Sequence, residues 1–218
     1  MEIQMKSIDT NLSNFIYEKV KNDIVEMRRV PGSFVLERRI AEEFSTSRTP
    51  VREALKRLMQ EGWLVGEDRC RSRVSELTEL RCHEVFAVRN MIESYALNDT
   101  FERCSCRALA GKLDMEIKKM EDQKDDPIAF VHADLHFHTV IVEHVGNHIL
   151  TKIWQSISDE IMRISIFSMD EERQPERIIV EHNSIMEALW NENPQELISL
   201  DRHMNLIMEG LARMLDKN

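Results

Sequence analysis

Apolar positions along the first part of the chain recur at intervals of three and four. From Asn11 to Met27 they place Leu12, Phe15, Ile16, Val20, Ile24 and Met27 on one broad face, which predicts an amphipathic helix after a disordered lead-in over residues 1–10. Pro31-Gly32 is the turn that ends it. Val35 to Phe44 reads as a second, short amphipathic helix, and Ser45-Thr46-Ser47 as a tight polar turn. Val51, Ala54, Leu55 and Leu58 then follow an i, i+3, i+4, i+7 pattern. Ser47 or Thr49 serves as N-cap, and Pro50 sits at or near the first helical position, where its missing N–H costs nothing. Gly62 stops this helix. Trp63 to Val65 and Arg73 to Ser75 are the expected strands around a loop, Gly66 to Ser72. Helix, turn, helix and strand pair together read as a winged helix-turn-helix.

From Thr78 onward every segment carries a helical pattern. The expected spans are 78–99, 105–124, 127–145, 147–169, 172–191 and 194–215, broken at Asp125-Asp126-Pro127, Val145-Gly146-Asn147, near Met169-Asp170, and at Asn191-Glu192-Asn193-Pro194. Six helices with short connections make a compact bundle. The expected fold is therefore mainly α, with a winged helix-turn-helix over residues 1–76 and an all-α bundle over 77–218.

Charge supports that division. The whole chain carries a net −10, which looks wrong for a nucleic-acid binder until it is divided. Residues 1–75 hold 14 Lys+Arg against 12 Asp+Glu, a net +2, and the remainder holds 15 against 27, a net −12. Attraction to phosphates is thus confined to the first domain, and an acidic second domain favours one defined docking face. Four cysteines without a Cys-x-x-Cys spacing suggest reduced thiols in a cytoplasmic protein. With no signal peptide and no 18-residue apolar run, neither export nor a membrane is expected.

The candidate chemistry of the second domain lies in polar residues on apolar faces. At 100° per residue, Asp134 and His138 fall at one edge of the arc set by Phe130, Ala133, Phe137, Val140 and Ile141, while His132 and His136 fall on the solvated face. His182 sits amid Ile178, Ile179, Ile185, Met186 and Leu189, and His203 edges the arc of Leu200, Met204, Ile207 and Leu211. Three inward histidines and an aspartate suit one divalent metal, and they equally suit four separately hydrogen-bonded core residues. Arg89, between Val85, Phe86, Ile92 and Ala96, also faces inward and requires an anion. Glu93 one turn on can supply it internally; the alternative is the carboxylate of a bound small molecule.

Two stretches carry a family resemblance. Ser47-Arg48-Thr49-Pro50-Val51-Arg52-Glu53-Ala54-Leu55, preceded by Glu37-Arg38-Arg39-Ile40-Ala41, resembles the DNA-binding signature of the GntR family of bacterial transcription regulators. Glu84 to Glu93, Asp134-Leu135-His136-Phe137-His138, Glu181-His182-Asn183 with Ile185, and Arg202-His203-Met204 resemble the FCD ligand-binding domain of its FadR subfamily. The six-helix count suggests the shorter VanR-like group. The resemblance implies a homodimer on a short palindromic operator, with one recognition helix per major-groove half-site. Arg38, Arg48 and Arg52 match positions that contact DNA in the family, with Arg48 and Arg52 as candidates for guanine readout. Thr49 and the wing arginines Arg71 and Arg73 are expected to set position on phosphates. Two departures stand out: Cys70 or Arg71 occupies the place of a wing-tip glycine, and Ser45-Thr46 replaces a common Gly-Val.

In the FCD domain the resemblance implies that Asp134, His138, His182 and His203 bind a divalent metal (Zn, with Ni or Mn as alternatives). Arg89 is implied to help hold a small organic acid effector. The function so implied is a ligand-responsive regulator, a repressor in the commonest family mode. Two rivals remain on this reading: a regulator whose metal is purely structural and which has no effector, and a metalloenzyme of the helical domain.

Overall fold

The computed structural model of the chain describes residues 2–68, 71–169, 174–194 and 208, with side chains from residue 11 onward except at 67 and 68. Two compact units make it up, Met1–Leu77 and Thr78–Asn218. The first contains α1 (Glu2–Val25), β1 (Phe34–Leu36), α2 (Glu37–Glu43), α3 (Arg48–Gln60), β2 (Leu64–Asp68) and β3 (Arg71–Val74). Residues 2–10, expected as a disordered lead-in, belong to α1. Neither Gly nor Pro interrupts this stretch, and Glu, Met and Lys are good helix formers.

Ile16, Val20 and Ile24 of α1 pack on α3, which buries Val51, Ala54, Leu55 and Leu58. Phe15, placed on the same face by the sequence pattern, is instead 51% exposed, edge-on to Phe44 with ring centroids 6.0 Å apart. The seam follows the i, i+4, i+8 row, and position 15 lies beside it. Ser47 is the N-cap of α3, which places Pro50 third in the helix, still within the turn whose N–H groups have no helical partner. Gly62, at φ +82°, takes the left-handed conformation just past the C-cap Glu61.

Val35 and Leu36, expected in the first turn of α2, form a short strand instead. The antiparallel sheet has the order β1-β3-β2, with Val35 opposite Ser72 and Leu64 opposite Val74. Three residues are too few to show an alternating pattern, so this strand is defined by its distant partner. The β2–β3 hairpin is also tighter than expected, since β2 runs on to Asp68 and β3 begins at Arg71. Gly66 makes this possible: a Cβ there would lie 3.1 Å from the Arg71 carbonyl oxygen and 3.2 Å from Ser72 Cα. The register shifts between Val65 and Asp68, beside that close approach.

The second unit comprises α4 (Glu79–Glu102), α5 (Cys106–Asp122), α6 (Pro127–His144), α7 (His148–Phe167) and α8 (Pro175–Trp190). The expected helix over 194–215 lies outside the described residues. Helix α6 is the centre, packed against α4, α5 and α7, while α8 rests on α5. Phe130, Phe137 and Ile141 of α6 are fully buried, as are Leu113 of α5, Trp154 of α7 and Ile185 of α8. No described helix is long and apolar enough to cross a membrane. Cys82, Cys104 and Cys106 are free, and burial pushes the Cys82 thiol up to about 11.

Side-chain caps set where the central helices begin. Asp126 accepts from the N–H groups of Ile128 and Ala129 at 3.0 and 3.1 Å, with Pro127 as the first helical residue of α6. Asn147 does the same for Ile149 and Leu150 at the start of α7. Asp126→Ala is expected to lower the stability of the bundle by about 1 kcal/mol. In urea unfolding this is read as an earlier midpoint with an unchanged slope; an unaltered midpoint would show that the cap is dispensable.

Candidate metal centre and nucleic-acid interface

The cap of α6 fixes the helix that carries Asp134 and His138 one turn apart. Phe130, Phe137 and Ile141 anchor the same side of α6 in the core, so the two polar residues are drawn inward with them; Asp134 is 3% exposed and His138 is fully buried. Helix α8 brings in His182 between the buried Ile178 and Ile185. His182 Nε2 lies 3.1 Å from Asp134 Oδ1 and 3.2 Å from His138 Nε2, and His138 Nε2 lies 4.0 Å from the same Asp134 oxygen. The ring of Phe137 stands edge-on to both imidazoles, 5.3 Å from His138 and 4.3 Å from His182.

The other ring nitrogens determine what faces this point. His182 Nδ1 is 2.8 Å from the Ile178 carbonyl oxygen, and His138 Nδ1 is 2.6 Å from Glu93 Oε2. Both of those partners accept only, so each Nδ1 carries the hydrogen and donates it. In the neutral rings the two Nε2 atoms are then lone pairs. Burial pushes the His138 pKa down, which outweighs the pull of Glu93 and favours that neutral form. Two imidazole Nε2 atoms and a carboxylate oxygen thus converge in the core. Two imidazole nitrogens and a carboxylate oxygen that close make a good cation site, and the Ile178 carbonyl and Glu93 carboxylate behind the imidazoles are partners of the kind that orient metal-bound histidines. Asp134, His138 and His182 fit a divalent metal on these grounds. Their ligand atoms all lie within 4.8 Å of one another. His203, the fourth expected ligand, lies outside the described residues.

Glu93 was readable from the sequence only as a partner for Arg89. It is fully buried and serves both sides: Oε1 accepts from Arg89 Nε at 2.7 Å, while Oε2 accepts from His138. Burial raises the Glu93 pKa, but His138 and Arg89 more than offset it and hold the carboxyl below its ordinary value. The internal salt bridge expected for Arg89 is therefore present, but it occupies only one nitrogen. Nη1 and Nη2 of this fully buried side chain have no hydrogen-bond partner among the described residues. The position of Glu93 was recoverable, since it lies on the buried face of α4 between Arg89 and Ala96. His132 and His136 both face solvent as expected, and His136 Nδ1 is 2.8 Å from Glu116 Oε2.

On the first unit, Arg38, Arg48, Thr49 and Arg52 are exposed around the helix-turn-helix. Arg38 pairs along its own helix with Glu42 at 2.8 Å. Together with Ser45, Thr46, Ser47 and Arg48 it lines an open recess of about 480 Å³ at the turn. Glu37, which sequence reasoning missed, is 3% exposed and lies beneath the recognition helix. Its carboxylate is 2.7 Å from Arg52 Nε and 3.9 Å from Arg48 Nε. No local spacing could reveal this, since Arg52 lies 15 positions further along the chain.

Arg71 and Arg73 stand on the exposed face of β3, and Ser72 and Val74 point inward. Both guanidinium groups lie over the ring of Phe34, Arg73 at 4.2 Å and Arg71 at 5.3 Å from its centroid. The strand thus brings the two wing arginines together on one face. Cys70, also singled out at the wing, lies outside the described residues.

Comparison with known proteins gives this pair of units a family. Residues 12–74 match the model for bacterial regulatory proteins of the gntR family, and residues 84–206 match the FCD domain. The gluconate operon transcriptional repressor of Bacillus licheniformis is 27% identical over 181 residues, covering 80% of this chain and 73% of that protein. The HTH-type transcriptional repressor RspR of Escherichia coli is 22% identical over 207 residues, 93% of this chain and 90% of that one. The solved structure of E. coli McbR/YncC superimposes with a TM-score of 0.69 at 18% identity, over 94% of this chain and 98% of that one, a likeness of fold. Since the FCD match spans more than half the chain and the gntR match accounts for its start, the chain belongs to the GntR family of bacterial transcription regulators, which are not enzymes, as a member with a C-terminal FCD domain.

Proposed function

We propose that this chain is a ligand-responsive repressor whose bundle holds a divalent metal and a small organic acid, and which binds a palindromic operator as a homodimer. The observation that carries the reading is the buried constellation in the bundle. Three acceptors converge from Asp134, His138 and His182, and the Nη atoms of Arg89 lack partners among the described residues. A buried guanidinium left with unmet donors is suited to a planar carboxylate, which takes both in a fork. When bound, the metal would supply a Lewis-acidic second contact for the same acid. That one relative represses a gluconate operon is in keeping with a sugar acid as effector. Zn is the proposed metal, with Ni and Mn as alternatives accepted by the same donor types.

Regulation then follows as a population shift. The acid can move the balance between two arrangements of the DNA-reading units only by the difference in its affinity for them. On the operator, Arg48 and Arg52 read guanines from the recognition helix. Arg38, Thr49, Arg71 and Arg73 hold the backbone. A cytoplasmic site of action goes with this role.

His182→Ala is expected to reduce bound metal from about one ion per chain to a small fraction, because a site of this kind rarely survives the loss of an imidazole. Elemental analysis of the purified protein decides it, and full occupancy would remove His182 from the site. Arg89→Ala should lower neither metal content nor operator affinity while weakening acid binding by about tenfold or more, as expected for a lost charge-assisted fork. Calorimetric titration with a carboxylate panel that includes gluconate measures this, and an acid that binds the variant as tightly as the wild type contradicts the role. For the operator, Arg52→Ala is expected to cost about 1–3 kcal/mol of specific binding and to relax preference at one base position. Selection from a randomised duplex library would show an unchanged consensus if Arg52 reads no base.

A further inference from the structure

Glu93 joins the two halves of the bundle site. Its carboxylate oxygens are divided: Oε1 takes the Arg89 Nε–H at 2.7 Å, and Oε2 takes the His138 Nδ1–H at 2.6 Å. All three side chains are fully buried, so neither bond lies open to bulk water. Arg89 and Glu93 come from α4, while His138 comes from α6, and these helices pack directly on each other. The contact therefore joins Arg89 to a histidine whose opposite nitrogen faces the metal point.

The geometry assigns Glu93 as the positioning residue that couples acid binding at Arg89 to metal binding at His138. This rests on the metal and acid reading given above. One carboxylate charge is shared between two donors, so a change in one bond alters the other. An acid that draws Arg89 onto itself weakens the Arg89 hold on Oε1. More of the carboxylate charge then acts on the His138 ring, whose Nε2 becomes the better electron donor. Acid binding should therefore tighten the metal, and by thermodynamic reciprocity the metal should tighten the acid. A glutamine at position 93 cannot do this. Its oxygen can accept from one donor, but its NH2 then faces the other N–H.

The test uses zinc alone as probe, in competition with a chromophoric chelator, on the full-length chain. Glu93→Gln is expected to weaken zinc by about 10–100-fold, the usual effect of losing a partner behind a ligating histidine. Arg89→Met, which leaves the Glu93 charge to His138, is expected to tighten zinc in the wild-type background, and most of that gain should vanish in the Glu93→Gln background. Equal gains in both backgrounds, or an unchanged affinity in Glu93→Gln, overturn the coupling. A purely structural Glu93 would not produce the non-additivity.

Because a buried charge change can prevent folding, a second measurement needs no variant. Long-range nitrogen NMR of zinc-loaded wild type should show His138 bound through Nε2, with a strongly deshielded Nδ1 proton. Zinc on Nδ1, or an unshifted proton, overturns the assignment. A wild-type chain that takes up no zinc overturns the metal reading itself, and this inference with it. Zinc uptake without coupling overturns the inference alone.

Discussion

Polar and charged groups sealed from bulk water must satisfy one another, and the second unit is built around that constraint. Arg89, Glu93, His138 and His182 are all fully buried, with Asp134 nearly so. An isolated ion in such a place would cost several kcal/mol, so each side chain has to be placed by its neighbours to within hydrogen-bond distance. That demand reaches back into the helices. Asp126 sets the start of α6, the aromatic and aliphatic residues of α6 set its rotation, and only then do Asp134 and His138 face α8. Packing does not merely surround the polar set; it determines which atoms can meet.

The first unit solves the opposite problem, since its arginines stay in water. Arg48 and Arg52 are exposed, yet both lean on a carboxylate that is itself buried. A long flexible side chain loses rotamer entropy when it binds, and a fixed support underneath reduces what remains to be lost. Phe34 plays the corresponding part for Arg71 and Arg73 by offering a ring face instead of a charge. Both devices hold cations outward without neutralising them in the core.

Much of this was legible in the sequence where helical periodicity is long and regular. The inward placement of Asp134, His138 and His182 followed from angular position alone, because sixteen or more residues per helix fix the phase of the apolar arc. The same reasoning sent His132 and His136 to solvent correctly. It failed where the signal was short or the partner distant. Strand β1 has three residues and takes its identity from β3, so Val35 and Leu36 were read as helix. Phe15 was misplaced because a broad apolar stripe does not say which row meets α3. Residues 2–10 were read as disordered from the lack of a pattern, but a helix needs no apolar stripe to continue. Glu37 is the instructive case: nothing local marks a carboxylate that will lie under arginines from the next helix.

One more consequence lies in the chain positions of His138 and His182, which are 44 residues apart yet bring their Nε2 atoms within 3.2 Å. In polymer terms they are the two ends of a loop containing α7 and the first half of α8. An ion gripping both ends would act as a reversible staple, removing much of the loop's freedom from the unfolded ensemble as a disulfide does. Part of the ion's apparent affinity would then be folding free energy, and the bundle's cooperativity would rise and fall with the metal supply.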